Sequence, residues 1–272
     1  IAPLGYSFGI IFGIIFFYEK YGVKGLIYGV LLGAIISLCV QALSLSTHKF
    51  SVKKSNVSFV YVQELILFAF PRSFTNVVSQ IRVVFFTAFA TTLGPGVLSS
   101  FLFAQRITDA MTQIVSQSVT TASLPVLARE HEEGRIKEHE ALVYKYTSLL
   151  FFSAIGMCLL VYPLRHIVVA LLYSHNAANG LIATLLVGFL IALPFSMASS
   201  YLAIGFYSMK DTKKVFIGNL FGTIFAVSVC YLFRSSGFIS LMYGIISYYF
   251  ISSTFYAIMY KRSNFLKNFK KS

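Results

Sequence analysis

Residues 79–109 read SQIRVVFFTAFATTLGPGVLSSFLFAQRITD, two apolar runs joined by the turn sequence Gly94-Pro95-Gly96. Glycine and proline together favour a tight turn, so the stretch predicts a hairpin of two helices. The two runs belong to apolar segments long enough to cross the hydrocarbon core of a bilayer, which takes about 20 helical residues. Arg82 and Arg106 each lie on the order of 15–20 Å from the turn along their helices. We therefore expect both arginines at matched depth near the middle of a membrane.

The composition of the whole chain agrees with a membrane protein. The chain has 272 residues, of which 57% are hydrophobic and only 11% are charged, whereas a soluble domain carries about 25% charged residues. The net charge of +13 is typical of basic loops on one side of a multi-pass protein, and we expect no nucleic-acid partner. The sequence predicts an all-α, polytopic transmembrane helical bundle of about eight spans. The predicted spans cover about residues 4–18, 25–46, 60–93, 97–127, 142–162, 181–209, 215–233 and 238–260.

Charged loops indicate the orientation and the domain organisation. Fourteen lysines and arginines lie in loops after even-numbered spans and four lie in loops after odd-numbered spans. Positively charged loops stay in the cytoplasm, where they can attract anionic membrane lipids. We predict two helices in residues 1–47, a basic linker in 48–58, six transmembrane helices in 59–260 and a basic cytoplasmic tail in 261–272.

Two further segments and the histidines lead to more local expectations. Residues 163–173 predict a short amphipathic helix at the membrane interface, and residues 129–140 predict a charged loop or a short solvated helix. His48, His131 and His139 are predicted as solvated loop residues. No cluster of ligands with metal-binding spacing is present in the sequence, so we expect neither a metal nor a cofactor.

Polar residues recur along one face of each helix in the hairpin. On the second helix Asp109, Gln113, Gln117 and Thr120 follow Arg106 at helical spacing, and Asp109 can pair with Arg106 one turn away. A charge in the bilayer costs at least ~2.5–3.5 kcal/mol and should face a bundle interior or a wet cavity. Arginine suits a phosphate or diphosphate because its planar fork makes bidentate hydrogen bonds. The predicted substrate-binding residues are Arg82, Arg106, Asp109, Gln113, Asn76, Ser79 and Gln80.

Other interpretations of these charges stay open. Arg106 with Asp109 is also typical of a structural ion pair, and backbone carbonyls or a part of the protein outside this sequence can hold Arg82. An intramembrane enzyme of phosphoryl chemistry needs clustered carboxylates, but Asp109 is the only acid well inside a predicted span, so we expect no enzyme. A noncatalytic scaffold would tolerate loss of both arginines.

Five motifs in order along the chain resemble one family. They are residues 2–9 (APLGYSFG), 70–81 (FPRSFTNVVSQI), 103–107 (FAQRI), 123–129 (SLPVLAR) and 206–213 (FYSMKDTK). This set is similar to the MurJ (MviN) lipid II flippases of the MOP exporter superfamily, over about family helices five to twelve. The resemblance implies an MOP-type lobe with part of the other lobe, in the bacterial cytoplasmic (inner) membrane. It also implies that the chain is a segment of a longer protein.

The resemblance implies a substrate and marks some departures. The expected function is to move an undecaprenyl-diphosphate-linked peptidoglycan precursor (lipid II) across the membrane by alternating access, with Arg106 matching an essential cavity arginine. Phe86, Ala226 and Cys230 fall where the family often has an acidic residue and asparagines, which puts a sodium site in doubt. Arg82 replaces a usual asparagine. Rivals are another lipid-linked sugar flippase, such as an O-antigen type, or a multidrug exporter of the same superfamily.

Overall fold

The computed structural model describes residues 2–47, 59–173 and 179–269, and within these ranges every regular element is helical. Ten α-helices are numbered in chain order: α1 Ala2–Phe12, α2 Tyr18–Tyr21, α3 Val23–Thr47, α4 Phe59–Thr92, α5 Val97–Thr112, α6 Ser118–Glu132, α7 Ile136–Tyr173, α8 Asn179–Ser208, α9 Thr212–Leu232 and α10 Ile239–Phe269. The π-helical turns Gly13–Phe17 and Gln113–Gln117 join α1 to α2 and α5 to α6.

A short 3₁₀-helix, Arg234–Ser236, lies between α9 and α10. Apart from it, and counted with the π-helical turns, the described residues form eight continuous helices, so the predicted all-α bundle of about eight spans is confirmed. Six of the described helices are long and apolar enough to cross a membrane. The predicted linker 48–58, with His48, lies outside the described residues, as do the last residues of the predicted tail.

The chain divides into two compact units, Ile1–Ser58 and Phe59–Ser272. In the first unit α1 packs closely along α3. A methyl group added at Gly9 would overlap the backbone of Gly33, and one added at Gly13 would overlap the backbone of Gly29. Small residues at such contacts let two membrane helices approach until their backbones touch.

The second unit is organised around α8. This helix packs against α5, α7 and α10, and α9 packs against α4 and α10. Two apolar clusters fill the space between the helices, one containing Phe86 and Leu186 and the other containing Tyr201 and Phe206. The α4 and α5 helices meet at the glycine-proline turn, where Gly94 and Gly96 have φ angles of 125° and 81°. Only glycine adopts such positive φ values without strain, so the predicted hairpin turn is confirmed.

The prediction of a separate interfacial helix in residues 163–173 is wrong. Those residues continue α7, which runs without interruption from Ile136 to Tyr173 and includes Pro163. Membrane helices tolerate proline because neighbouring groups satisfy the freed backbone carbonyl. At about 1.5 Å per residue the helix is about 57 Å long, so its ends project beyond the hydrocarbon core.

The charged segment 129–140 is mostly helical, with a short turn between α6 and α7. Arg129 Nε donates to Glu133 Oε1 at 2.7 Å, and this hydrogen bond lowers the pKa of the Glu133 carboxyl. The prediction that His139 is a solvated loop residue is wrong. Its side chain is 1% exposed, because α7 already begins at Ile136 and its first turn carries the imidazole inward. There it lies 2.8 Å from Ser208 Oγ and 2.9 Å from the Tyr260 hydroxyl.

Candidate functional site

A small cavity lies inside the second unit, between α4, α5, α8 and α10. Its volume is about 50 Å³, which is room for a few water molecules. Apolar side chains form part of its wall, and polar groups from all four helices converge on it. The polar lining includes Arg82, Gln105, Thr108, Asp109, Ser196 and Tyr248.

Arg82 contributes the positive charge of this cavity. Its Nε atom is fully buried and has no hydrogen-bond partner among the described residues. The guanidinium carbon lies 3.9 Å from the centre of the Tyr248 ring, a cation–π contact that stabilises a cation where water is scarce. Tyr249, the next residue on α10, is a hydrogen-bonding partner of the same guanidinium. Two tyrosines of α10 therefore hold Arg82, while its buried Nε donor has no partner among the described residues.

Asp109 contributes the negative charge of the same cavity from α5. It lies on one helix face with Gln105, Thr108 and Thr112, and all four side chains line the cavity. Opposite charges that share a small polar cavity stabilise each other even without direct contact. The sequence predicted Arg82 and Asp109 at a common site, and the structure brings these two together.

Arg106 does not line this cavity. Its side chain is exposed, and the ion pairs found among the described residues do not include Arg106 with Asp109. Successive residues of a helix are about 100° apart around its axis, so Arg106 is turned away from the face that Gln105 presents. The expectation that Arg82 and Arg106 line one chamber is not met within the second unit.

The other predicted ligands also lie away from the cavity. Asn76, Gln80 and Gln113 are exposed, and Gln113 begins the π-helical turn that ends α5. A π-helical turn holds more residues than an α-helical turn. It therefore rotates Gln117, at its end, and Thr120, beyond it, relative to the polar residues before it. The hydroxyl of Ser79 donates to the Thr75 carbonyl oxygen at 3.0 Å, so it is bonded within its own helix.

Two residues of the site were not predicted from the sequence. Tyr248 on α10 lines the cavity, and Asn219 on α9 is bonded to it. The Tyr248 hydroxyl donates to Asn219 Oδ1 at 2.9 Å, and Asn219 Nδ2 donates to Ser79 Oγ at 2.7 Å. Tyr248 looks like one more apolar residue in an aromatic-rich helix. A lone amide in an apolar span costs free energy to bury, so Asn219 carried a signal that could have been used.

The resemblance aligns three apolar positions of this chain with the family's acidic residue and asparagines. Phe86, Ala226 and Cys230 are buried in one cluster. Within the described part of the chain no group of three or more His, Cys, Asp or Glu side chains is placed to hold a metal ion.

Comparison with known proteins finds a family model that matches nearly the whole chain and relatives that match just over half of it. A family model described as "Lipid II flippase MurJ" matches residues 1–271. A probable lipid II flippase MurJ of Rhizobium tropici is 29% identical over 156 residues, which are 56% of this chain and 29% of that protein. The lipid II flippase MurJ of Burkholderia cenocepacia is 26% identical over 160 residues, which are 56% of this chain and 31% of that protein.

Solved structures of similar fold include two transporters. A lipid II flippase MurJ in an inward closed conformation has a TM-score of 0.73 at 23% identity, over 98% of this chain and 58% of that chain. An outward-facing multidrug resistance MATE family transporter of the MOP superfamily has a TM-score of 0.82 at 18% identity, over 99% of this chain and 62% of that chain. At these identities the likeness establishes the fold alone, and the chain spans less than two thirds of each. Because the family model covers residues 1–271, the chain belongs to the lipid II flippase MurJ family.

Proposed function

We propose that the protein carrying this chain moves lipid II, an undecaprenyl-diphosphate-linked peptidoglycan precursor, across the bacterial cytoplasmic membrane. The proposal rests on the family match and on the membrane-spanning helices of the fold. The single observation that carries it furthest is the buried Arg82 Nε atom, a guanidinium donor without a partner among the described residues. Such a donor inside a membrane is costly, and an anionic ligand offsets that cost through charge-assisted hydrogen bonds.

Arg82 and Arg106 have separate tasks in this proposal. Arg82 binds the diphosphate from the cavity, with Asp109 balancing its charge when no ligand is present. Arg106, exposed on α5, meets the ligand at the surface of the second unit. Among the other predicted ligands, the exposed Asn76, Gln80 and Gln113 contact the headgroup at the surface. Ser79 does not contact the ligand and instead supports the site through its hydrogen bonds.

The size of the cavity requires a conformational change. Pockets that bind small ligands usually hold about 300–1,000 Å³, and about 50 Å³ is too little for a disaccharide diphosphate. Transporters of this kind work by rocking one helical bundle against another around a central site. The helices around Arg82 must therefore separate before the headgroup enters, while the polyprenyl tail stays in lipid. The membrane potential, worth ~2.3 kcal/mol per charge per 100 mV, is a suitable driving force.

The family match favours lipid II over the other substrates considered. The multidrug transporters of similar structure share the fold at low identity, and that likeness assigns no cargo. A transporter of organic cations also has no need for an unpartnered guanidinium donor in its core. We infer that the protein is a transporter without an enzymatic step and that its basic loops contact anionic membrane lipids.

Complementation tests the proposal in cells. The protein, expressed at its natural length, is placed in a bacterium depleted of its own lipid II flippase. We expect wild type to restore growth and Arg82→Ala and Arg106→Ala to restore it poorly. Arg234→Ala is the matched control, because Arg234 also stacks on a tyrosine, Tyr231 at 5.1 Å, but lies in the exposed turn between α9 and α10. Full growth with Arg82→Ala at wild-type expression would overturn the assignment of Arg82.

A further inference from the structure

We infer that Asn219 and Tyr248 are positioning residues that hold the Arg82 guanidinium in its binding orientation. This inference rests on the proposed function of Arg82 and adds the means by which the arginine is oriented. Nothing in the pattern of the sequence connects the three residues, which lie on α9, α10 and α4. Their side chains form one continuous series of contacts inside the second unit.

Asn219 is the centre of this series. It is 4% exposed, and both ends of its amide are bonded to other helices. Nδ2 donates to Ser79 Oγ at 2.7 Å and to the Thr75 carbonyl oxygen at 3.2 Å, both on α4. Oδ1 accepts from the Tyr248 hydroxyl of α10 at 2.9 Å. The buried amide therefore connects α4 and α10 through directional hydrogen bonds.

Tyr248 transmits this constraint to the arginine. The hydrogen bond from its hydroxyl to Asn219 restrains the position of its ring. The centre of the ring lies 3.9 Å from the Arg82 guanidinium carbon, close enough for the ring to restrict the directions in which the planar group can turn. Bidentate recognition of phosphate uses the edge of the guanidinium, and a ring at this distance restricts the direction of that edge.

Asn219 therefore restrains the position of Arg82 in two ways. Ser79 and Thr75 lie about one and two turns before Arg82 on α4, and Asn219 bonds to both. The same amide positions the ring that stacks on Arg82. Loss of the Tyr248 hydroxyl would leave the charge in the cavity but free the ring, so affinity for an oriented diphosphate would fall while the charge remained.

Binding of lipid II to the natural-length protein in nanodiscs tests the inference. We expect Tyr248→Phe to weaken binding about three- to tenfold, the range of one lost orienting hydrogen bond, and Asn219→Ala to weaken it about tenfold or more. Tyr256→Phe is the matched control. Tyr256 is also buried on α10, and its hydroxyl donates to the Val215 carbonyl oxygen of α9 at 2.9 Å, but it does not line the cavity. Its substitution removes an equivalent bond between the same two helices and should leave binding unchanged.

A double-mutant cycle separates positioning from general support of the fold. If Tyr248 acts through Arg82, then Tyr248→Phe has no further effect on binding in the Arg82→Ala background. An equal loss in both backgrounds would overturn the inference, as would binding by Tyr248→Phe that matches Tyr256→Phe. Wild-type affinity in Arg82→Ala would instead contradict the proposed role of Arg82 as the diphosphate ligand, on which the inference rests. The mild Tyr248→Phe change keeps the test decisive if Asn219→Ala does not fold.

Discussion

The buried imidazole of His139 gives the most direct prediction about stability. It contacts Ser208 at the end of α8 and Tyr260 on α10 at 2.8 and 2.9 Å, so it connects three helices. The Ser208 hydroxyl donates to the Gly205 carbonyl oxygen at 2.8 Å, which leaves it to accept from His139 Nε2, while Nδ1 accepts from the Tyr260 hydroxyl. This arrangement requires the neutral tautomer with its proton on Nε2.

His139→Phe keeps a ring in the space but removes both hydrogen bonds. Each is worth about 0.5–1.5 kcal/mol net, so we expect the free energy of unfolding to fall by about 1–3 kcal/mol. The assay is reversible unfolding in mixed detergent micelles, followed by circular dichroism, with His166→Phe as the exposed control. Because His166 is exposed, the control should change stability by less than about 0.5 kcal/mol. Equal stability of the two variants would refute the reasoning that the His139 contacts connect the helices.

Three further predictions concern other parts of the chain. Gly29→Val should prevent the close packing of α1 on α3, because a side chain there would overlap the backbone of Gly13. Crosslinking between cysteines introduced on the two helices should then fail, and unchanged crosslinking would contradict this prediction. Arg129→Ala should raise the pKa of Glu133, since the lowered pKa comes first from that hydrogen bond. In wild type the stability from this pair is present near neutral pH and is lost as the pH falls through the lowered folded-state pKa; carbon-13 NMR titration of Glu133 measures the shift, and no shift would refute the cause. Asp109→Asn should tighten lipid II binding, because the cavity then holds Arg82 without a competing carboxylate; weaker binding in nanodiscs would show that Asp109 is itself needed.

The sequence was sufficient for the helices and for the place of Arg82 within a long apolar helix. Long apolar runs and the glycine-proline turn leave few alternatives to a bundle, because backbone groups in lipid must be bonded within helices. The turn at Gly94 and Gly96 was predictable from residue type alone, since each has a φ angle that glycine tolerates. The place of Arg82 along α4 then followed from the rise per residue.

The rotation of each helix was harder to predict than its length. Arg106 was assigned to the cavity because it lies one turn from Asp109 on a polar helix face. The residues of α5 that line the cavity are instead Gln105, Thr108, Asp109 and Thr112. The π-helical turn at Gln113–Gln117 changes the helical register after α5. The residue pattern does not predict this turn. Periodicity fixes which residues share a face but leaves open which neighbour that face meets.

Partners from distant helices were beyond the reach of the sequence. His139 lies in a charged segment and was predicted to be solvated, because Ser208 and Tyr260 are 69 and 121 residues away along the chain. Ser79 was predicted to bind the substrate because its partner Asn219 is 140 residues away along the chain and could not be recognised. Both residues have a hydrogen-bond partner on a distant helix, which local reasoning does not contain.

The central claim is that the Arg82 guanidinium binds the diphosphate of the transported lipid. Translocation of fluorescent lipid II by the natural-length protein in liposomes, compared between wild type, Arg82→Lys and Arg82→Ala, tests it most directly. The account predicts rapid translocation by wild type, slower translocation by the lysine variant, which keeps the charge without the planar fork, and almost none by the alanine variant. Equal rates for all three proteins would contradict it.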